Sequence, residues 1–157
     1  MKKRYFILLL MLFCLIMTGC SDKNYTKIGT SDYSIIIPEG YVLTEDDFDE
    51  DQIAYYHKDD ESIDFDVYQW DKESQYTLEE EALYFASQYD TTPERIEING
   101  VVCMKYISME TYGEYEYTVV NYMFEDENSI IELCFWTVGS DEEYAAVSKI
   151  INTLKKN

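Results

Sequence analysis

Few residues in this sequence are of the types that enzymes use for covalent or acid–base chemistry. His57 is the only histidine among 157 residues, so a Ser–His–Asp or Cys–His arrangement would have to use it. It lies beside Lys58 and Asp59, and no nucleophile-elbow motif is nearby. A zinc site built mainly from histidines is excluded by count, and the six glycines form no phosphate-binding loop. We therefore expect no catalytic set and no cofactor.

Cys20 is the one residue to which the sequence assigns a specific reaction. A basic segment, Lys2 to Arg4, precedes an apolar run of 13 residues, Tyr5–Met17. This run is shorter than the roughly 20 residues of a bilayer-spanning helix, and its length is typical of a secretory signal. The run ends at Met17-Thr18-Gly19-Cys20, which resembles the bacterial lipobox. We therefore expect cleavage before Cys20 and acylation of its thiol, which anchors the chain to the membrane.

The predicted domains are a signal peptide (1–19), a lipidated polar tether (20–32) and a single domain (33–157). Cleavage leaves 138 of the 157 residues, a usual size for one domain. It removes three of the 12 basic residues and none of the 32 acidic ones, so the mature chain has a formal charge of about −23. A charge of this sign disfavours nucleic acid and anionic lipid headgroups as partners. It is typical of a repulsive, soluble surface, and it also attracts cations or basic partners.

The densest cluster of charge is Glu45–Asp51, in which six of seven residues are acidic. Calcium takes six to eight oxygen ligands, although the spacing and central glycine of an EF-hand are absent here. The alternative is an extended, solvated loop whose charges repel one another. The candidate metal ligands are Asp46, Asp47, Asp49 and Asp51.

Aromatic residues are abundant, with 16 tyrosines, seven phenylalanines and two tryptophans. Sugars and peptides stack on exposed rings, so some of these residues are candidates for a glycan- or peptide-binding groove. The alternative is that they complete the core of a sheet and place their hydroxyl groups at its edge. The candidates are Tyr55, Tyr56, Tyr68, Trp70, Tyr112, Tyr115 and Tyr117.

The carboxylates also permit a catalytic alternative. Glycoside hydrolysis uses two acids on either side of the scissile bond. The sequence contains 32 acidic residues, and no spacing among them selects a pair. A hydrolase that acts on envelope polymers therefore stays open as an alternative.

Hairpin patterns indicate a mainly antiparallel sheet. Ile53–His57 and Ile63–Val67 form one predicted hairpin. The second strand alternates strictly, so Asp64 and Asp66 are expected to face water. Asn99-Gly100 is typical of a type I′ turn and predicts another hairpin. The other predicted strands are 33–37, 95–98, 101–109, 115–124 and 129–138.

Two helices are predicted from capping boxes and apolar spacing. Thr77 with Glu80, and Ser140 with Glu143, have the residue types and spacing of capping boxes. The apolar faces are Leu78, Ala82, Phe85 and Tyr89 in the first helix, and Tyr144, Val147, Ile151 and Leu154 in the second. Several strands are apolar on both faces, so we expect the helices to cover both sides of the sheet.

Cys103 and Cys134 are the cysteines that remain apart from Cys20 and the signal-peptide cysteine. An extracytoplasmic location would permit a disulfide. In a simple meander, however, the strand 115–124 lies between them, which separates their Cα atoms by roughly 9 to 10 Å. A disulfide needs less than about 7 Å. We therefore expect two free, buried thiols.

The order of elements resembles that of the PsbP-like superfamily, which includes the bacterial DcrB-type lipoproteins. The similar stretches are Tyr33–Tyr41 with its Pro-x-Gly, Ile98–Cys103 with its Asn-Gly turn, and the final helix through Lys149–Lys155. The resemblance covers nearly all of the mature chain. It implies an α+β fold in which an antiparallel sheet is sandwiched by helices, and a role in binding or assembly. The plant members are associated with metal ions partly through histidines, which cannot be carried over to a chain whose only histidine is His57.

These observations together predict a non-catalytic binding or accessory module on the extracytoplasmic face of the cell membrane. The expected partners are the membrane, through acyl chains on Cys20, and an envelope protein, peptide or glycan. The alternatives are the envelope-polymer hydrolase and a calcium-dependent adhesion module.

Overall fold

The described part of the chain folds into strands and two helices, in an order close to the predicted one. The computed structural model describes residues 25–44, 50–58, 63–73 and 75–157. The strands within these ranges are β1 (Tyr25–Lys27), β2 (Tyr33–Ile36), β3 (Val42–Thr44), β4 (Gln52–His57), β5 (Asp64–Asp71), β6 (Glu94–Ile98), β7 (Val101–Tyr112), β8 (Tyr115–Glu125), β9 (Ser129–Thr137) and β10 (Lys155–Lys156). The helices are α1 (Leu78–Ser87) and α2 (Asp141–Ile151). Within the same ranges, no helix is long and apolar enough to cross a bilayer.

Seven strands form one antiparallel sheet in the order β3-β4-β5-β9-β8-β7-β6. The two predicted hairpins, β4–β5 and β6–β7, are both present. Asn99 and Gly100 have φ angles of +50° and +83°, which a type I′ turn requires and which these residue types tolerate. The connection from β5 through α1 leads to the far edge of the sheet, so β9 returns to pair with β5 in the middle. The predicted antiparallel α+β architecture is confirmed.

One face of this sheet, called here the core face, is closed by α2 and by a small sheet of β1, β2 and β10. Phe65, Phe124 and Phe135 are completely buried on it. The rings of Phe65 and Phe135 lie with their centroids 5.1 Å apart. Helix α2 begins with the predicted Ser140–Glu143 capping box, which satisfies backbone N–H groups at its first turn. This face forms the main hydrophobic core.

The opposite face, called here the open face, is only partly covered. Helix α1 buries Leu78, Ala82 and Ala86 against β7, β8 and β9. Phe85 is half-buried and Tyr89 is 41% exposed, so the predicted apolar stripe is rotated toward Ala86. Small alanines let the helix approach the sheet closely, which moves the two large rings to the edge of the contact. The rest of this face forms the cleft described below.

The domain begins before the predicted boundary at Tyr33. Tyr25–Lys27 pairs antiparallel with β2, and Ile28 and Ser31 are buried. The Ser31 hydroxyl donates a hydrogen bond of 2.7 Å to the carbonyl of Ile28, which closes the turn between the strands. Residues 25–32 therefore belong to the folded domain and not to the tether. Their polar composition hides this role because β1 is an exposed edge strand.

Cys103 and Cys134 are free and buried, as predicted. They lie on β7 and β9, with β8 between them, and they point to opposite faces of the sheet. Burial raises the pKa of Cys103 to about 12 and raises that of Cys134 above its ordinary value as well. The thiolate, which is the reactive form, is therefore suppressed in the native protein.

Thiol counting is expected to show this directly. The denatured, unreduced mature protein should contain two reactive thiols that react slowly or not at all in the native state. Ellman titration with and without denaturant measures both values. Two thiols missing after denaturation, with a mass two units below the dithiol form, would mean that the cysteines pair.

Candidate ligand-binding cleft

The open face contains a cleft of about 540 Å³, lined by residues of α1, β5, β7, β8 and β9 and of the adjoining loops. Part of its floor is a row of residues that cross-strand pairing brings side by side: Tyr106 lies opposite Asn121, which lies opposite Cys134. Asp66 continues this row opposite Cys134 but lies beneath the lining. Side chains that are paired in this way project from the same face of a sheet. The register therefore concentrates polar groups at one place on this face.

Glu132 is the most deeply buried acid of the cleft, at 6% exposure. The Tyr106 hydroxyl donates a hydrogen bond of 2.5 Å to its Oε1. Burial raises the pKa of Glu132 to about 7, the neighbouring Tyr106 hydroxyl and Cys134 thiol oppose this shift, and the nearby Glu110 adds to it. Since Tyr106 and Cys134 are neutral, neither cancels the charge of the ionised carboxylate.

Asp66 does not face water, contrary to the prediction from the alternation of its strand. It is 6% exposed and lies beneath Trp136, whose indole N–H donates a hydrogen bond of 2.5 Å to its Oδ2. The side-chain amide of Gln52 donates another of 2.5 Å to its Oδ1. Burial raises the pKa of Asp66 to about 6, against the effect of these bonds. Alternation correctly placed Asp66 away from the core face, but Trp136 and Gln52 exclude water from it there.

Asp66 and Glu132 are close neighbours across the β5–β9 pair. Asp66 lies opposite Cys134, two positions along β9 from Glu132. Diagonal neighbours of this kind are about 7 to 8 Å apart. The sheet thus holds two carboxyl groups of raised pKa at one end of the cleft.

Aromatic rings form much of the remaining surface. Tyr68 and Trp70 of β5 line the cleft, as does Trp136 of β9. The Trp70 ring lies 5.4 Å from that of Phe85, centroid to centroid, and this contact joins the sheet to α1. Tyr89 also lines the cleft, and burial together with the nearby Glu110 raises its pKa to about 12. Both tryptophans of the chain are therefore in this one site.

The other aromatic candidates do not line the cleft. The hydroxyl of Tyr55 donates a hydrogen bond of 2.8 Å to Asp64, and Tyr56 stacks on Phe65 toward the core face. Tyr112 and Tyr115 are 77% and 68% exposed at the end of the β7–β8 hairpin. The Tyr117 ring packs against Trp136 at 5.8 Å and supports the cleft from outside. The structure thus brings two of the seven candidates, Tyr68 and Trp70, into the site.

The candidate metal ligands are only partly described. Asp46, Asp47 and Asp49 lie outside the described residues, as does Cys20, the predicted acyl acceptor. Asp51 is exposed and lies at the rim of the cleft. Across the described parts of the chain, no group of three or more His, Cys, Asp or Glu side chains is arranged to hold a metal ion. The calcium hypothesis stays untested for the acidic segment itself.

Most of the acids and polar groups of the site were not predicted from the sequence. Glu132 and Glu110 have no distinguishing spacing, and Trp136 was not among the aromatic candidates. A usable signal existed in β9, where Glu132, Cys134 and Trp136 alternate with the core residues Leu133 and Phe135. An acid and a tryptophan on one face of a strand that is otherwise buried indicate a polar site within that face.

Comparison with known proteins identifies the fold. No protein-family model matches the sequence, and no curated protein matches it significantly. The structure is similar to the solution structure of cyanobacterial PsbP (CyanoP) from Synechocystis sp. PCC 6803, with a TM-score of 0.62 and 13% identity over 88% of this chain and 96% of that one. It is also similar to a crystal structure from Bacteroides thetaiotaomicron VPI-5482, with a TM-score of 0.60 and 18% identity over 86% of this chain and 49% of that one.

The present chain thus spans about half the length of the Bacteroides protein and nearly all of the cyanobacterial one. At these identities the similarity concerns the fold alone, and neither structure bears on the DcrB-type assignment, which stays a prediction. The predicted resemblance in fold is confirmed, and the chain has a PsbP-like fold.

Proposed function

We propose that this protein is a lipid-anchored binding module on the extracytoplasmic face of the membrane and that its ligand occupies the cleft of the open face. The main support for this proposal is the size and composition of the cleft. Its volume of about 540 Å³ lies within the range of roughly 300 to 1,000 Å³ that is usual for small-molecule sites. It combines aromatic walls with a few convergent polar groups, which is the usual composition of such sites.

The energetic cost of burying carboxylates supports the proposal that the open face contains a functional site. A buried carboxylate destabilises a fold unless it is paired with a cation or fully hydrogen-bonded. Glu132 and Asp66 are both buried, and the side chains that donate hydrogen bonds to them, Tyr106 for Glu132 and Trp136 and Gln52 for Asp66, are neutral. An apolar pair would close the same surface at lower cost. Groups that are retained despite such a cost are commonly functional.

Binding at the cleft can be tested by ligand retention. The immobilised mature domain is incubated with envelope extract and washed, and the eluted small molecules, peptides and glycans are identified by mass spectrometry. We expect a ligand that wild type and Leu83→Ala retain and that Trp70→Ala loses. Leu83 is a suitable control because it lies on α1 but is 52% exposed and away from the cleft lining. Equal retention by all three proteins would contradict the assignment of the site.

The anchor is supported by the apolar run and the lipobox-like Met17–Cys20. Cys20→Ala is expected to abolish labelling with a radioactive or clickable fatty acid and to leave an uncleaved precursor, because the acyl acceptor is lost. Cys14→Ala is the matched control, since Cys14 is removed with the signal peptide. Gel analysis after labelling measures both effects. Labelling that survives in Cys20→Ala would refute the lipid anchor.

A second candidate function is a hydrolase of envelope polymers, favoured by the proximity of Asp66 and Glu132. A pKa of about 7 suits Glu132 as a general acid, with Asp66 as the second carboxylate. Binding is the better-supported function because both oxygens of Asp66 already accept hydrogen bonds, from Gln52 and Trp136, and Asp66 lies beneath the cleft lining. Release of reducing ends from envelope polysaccharide, abolished in both Glu132→Gln and Asp66→Asn, would establish the hydrolase instead.

A further inference from the structure

The charge of the cleft lining is of one sign. Its acidic residues are Asp51, Asp71, Glu73, Glu110 and Glu132. Among the described lining residues there is no lysine, arginine or histidine. Lys72 is adjacent in sequence, but its ammonium forms a 2.5 Å ion pair with Glu125. A concave surface of one sign with low-dielectric walls concentrates ions of the opposite sign, so this cleft attracts cations.

The aromatic residues that line the cleft indicate which class of cation it would bind. The faces of Trp and Tyr rings attract a cationic group that approaches within about 6 Å, and they also contact an apolar carbon chain. Trp70, Trp136 and Tyr68 place such rings beside the acids. A bare metal ion needs several oxygen ligands gathered around one point, and the described residues offer no such group. The lining therefore suits an organic cation better than a metal ion.

The depth of Glu132 indicates where the charged group of the ligand would sit. This residue is 6% exposed, and its carboxylate accepts a hydrogen bond from the neutral hydroxyl of Tyr106. Glu110, which also lines the cleft, adds a second negative charge nearby. A neutral sugar would leave these charges buried and uncompensated, whereas an ammonium group would neutralise them.

We infer that the ligand of this cleft is a small organic cation, with an ammonium group directed toward Glu132 and an apolar body against Trp70. This inference rests on the proposed function and adds the chemical class of the ligand.

The probe is cadaverine, an alkyl diamine, and its neutral counterpart is 1,5-pentanediol, which has the same carbon chain. Both are titrated into the mature domain at pH 8 and about 0.15 M salt, where weak binding to exposed charge is screened. Intrinsic fluorescence reports on the site because Trp70 and Trp136 are the only tryptophans of the chain. Calorimetry gives the stoichiometry. We expect saturable binding of one cadaverine and no binding of the diol.

Three variants locate the binding. Glu132→Gln keeps the shape of the side chain and is expected to weaken cadaverine binding by roughly tenfold or more, since it removes the buried charge. Trp70→Leu is expected to weaken binding while keeping every acid. Glu127→Gln removes an exposed acid outside the cleft lining and should bind like wild type. Circular dichroism checks that each variant is folded.

Three outcomes would overturn the inference: no saturable binding of cadaverine, equal binding of the diol, or equal affinity of Glu132→Gln and Glu127→Gln. These outcomes are separable from failure of the proposed function. A neutral ligand retained from extract by wild type and lost in Trp70→Ala would keep the site and refute the organic cation. No ligand lost in Trp70→Ala, together with no binding of cadaverine, would refute both.

Discussion

Truncation of Phe135 to alanine is expected to lower the free energy of unfolding by about 4 kcal/mol, within the usual range for a fully buried phenylalanine. The Phe135 side chain is 0% exposed in the middle of the core face. Its ring packs against Phe65, with centroids 5.1 Å apart, and edge-on against Tyr122 at 6.0 Å. Because β9 is held between β5 and β8, the surrounding backbone has little freedom to collapse into the cavity.

Urea unfolding followed by circular dichroism measures this change. Phe85→Ala is an informative comparison because Phe85 is of the same type but only half-buried at the edge of α1, so its loss should cost clearly less. Leu83→Ala, at a 52% exposed position of the same helix, should change the stability by no more than about 0.5 kcal/mol. A Phe135→Ala domain that unfolds at the same urea concentration as wild type would contradict the arrangement of the core face.

Replacement of Glu132 by glutamine is expected to remove part of the pH dependence of stability. The pKa of Glu132 is about 7 in the folded protein, against an ordinary value of 4.5. Between these two values the folded state binds more protons than the unfolded state, so the free energy of unfolding falls as the pH rises. Above pH 7 the folded state must hold an ionised, buried carboxylate, which costs about 3 kcal/mol relative to acidic pH.

The difference in unfolding free energy between Glu132→Gln and wild type isolates this effect. It should shift in favour of the variant by about 3 kcal/mol between pH 4.5 and pH 8. Asp66, with a pKa of about 6, contributes a further decline that both proteins share. Glu127→Gln removes one exposed carboxylate and controls for the change in net charge. A difference that stays constant with pH, or that shifts in favour of wild type, would show that Glu132 is not held in an environment that favours its protonated form.

Local features were predictable because they depend on neighbours in the sequence. The Asn99-Gly100 turn needs two positive φ angles, and these residue types tolerate them wherever the chain places them. The capping boxes at Thr77 and Ser140 are built within four residues. The free thiols were predictable too, since a meander of hairpins already separates Cys103 from Cys134.

The rotation of α1 was not predictable from helical spacing alone. Leu78, Ala82, Phe85 and Tyr89 form one stripe by sequence, and the apolar character of Phe85 favoured it over Ala86. In the structure Ala86 packs against the sheet in place of Phe85, because its small side chain permits the helix to approach the sheet more closely. Residues 25–32 were likewise misassigned to the tether. Their composition is polar because β1 is an exposed edge strand, and the core residues around Ile28 come from elsewhere in the fold.

The turns, the helix caps, the alternation of the strands and the strong negative charge could all be predicted, because they follow from residue types and short spacings. The cleft could not, because it depends on how distant strands pair. Trp136 and Asp66 are 70 residues apart in the chain, and they meet because β9 pairs with β5 instead of remaining at an edge. Alternation shows which residues share one face of a strand, but it does not show which strand lies alongside. The register between distant strands placed Asp66, Glu132 and both tryptophans around one cleft, and α1 left that part of the face uncovered.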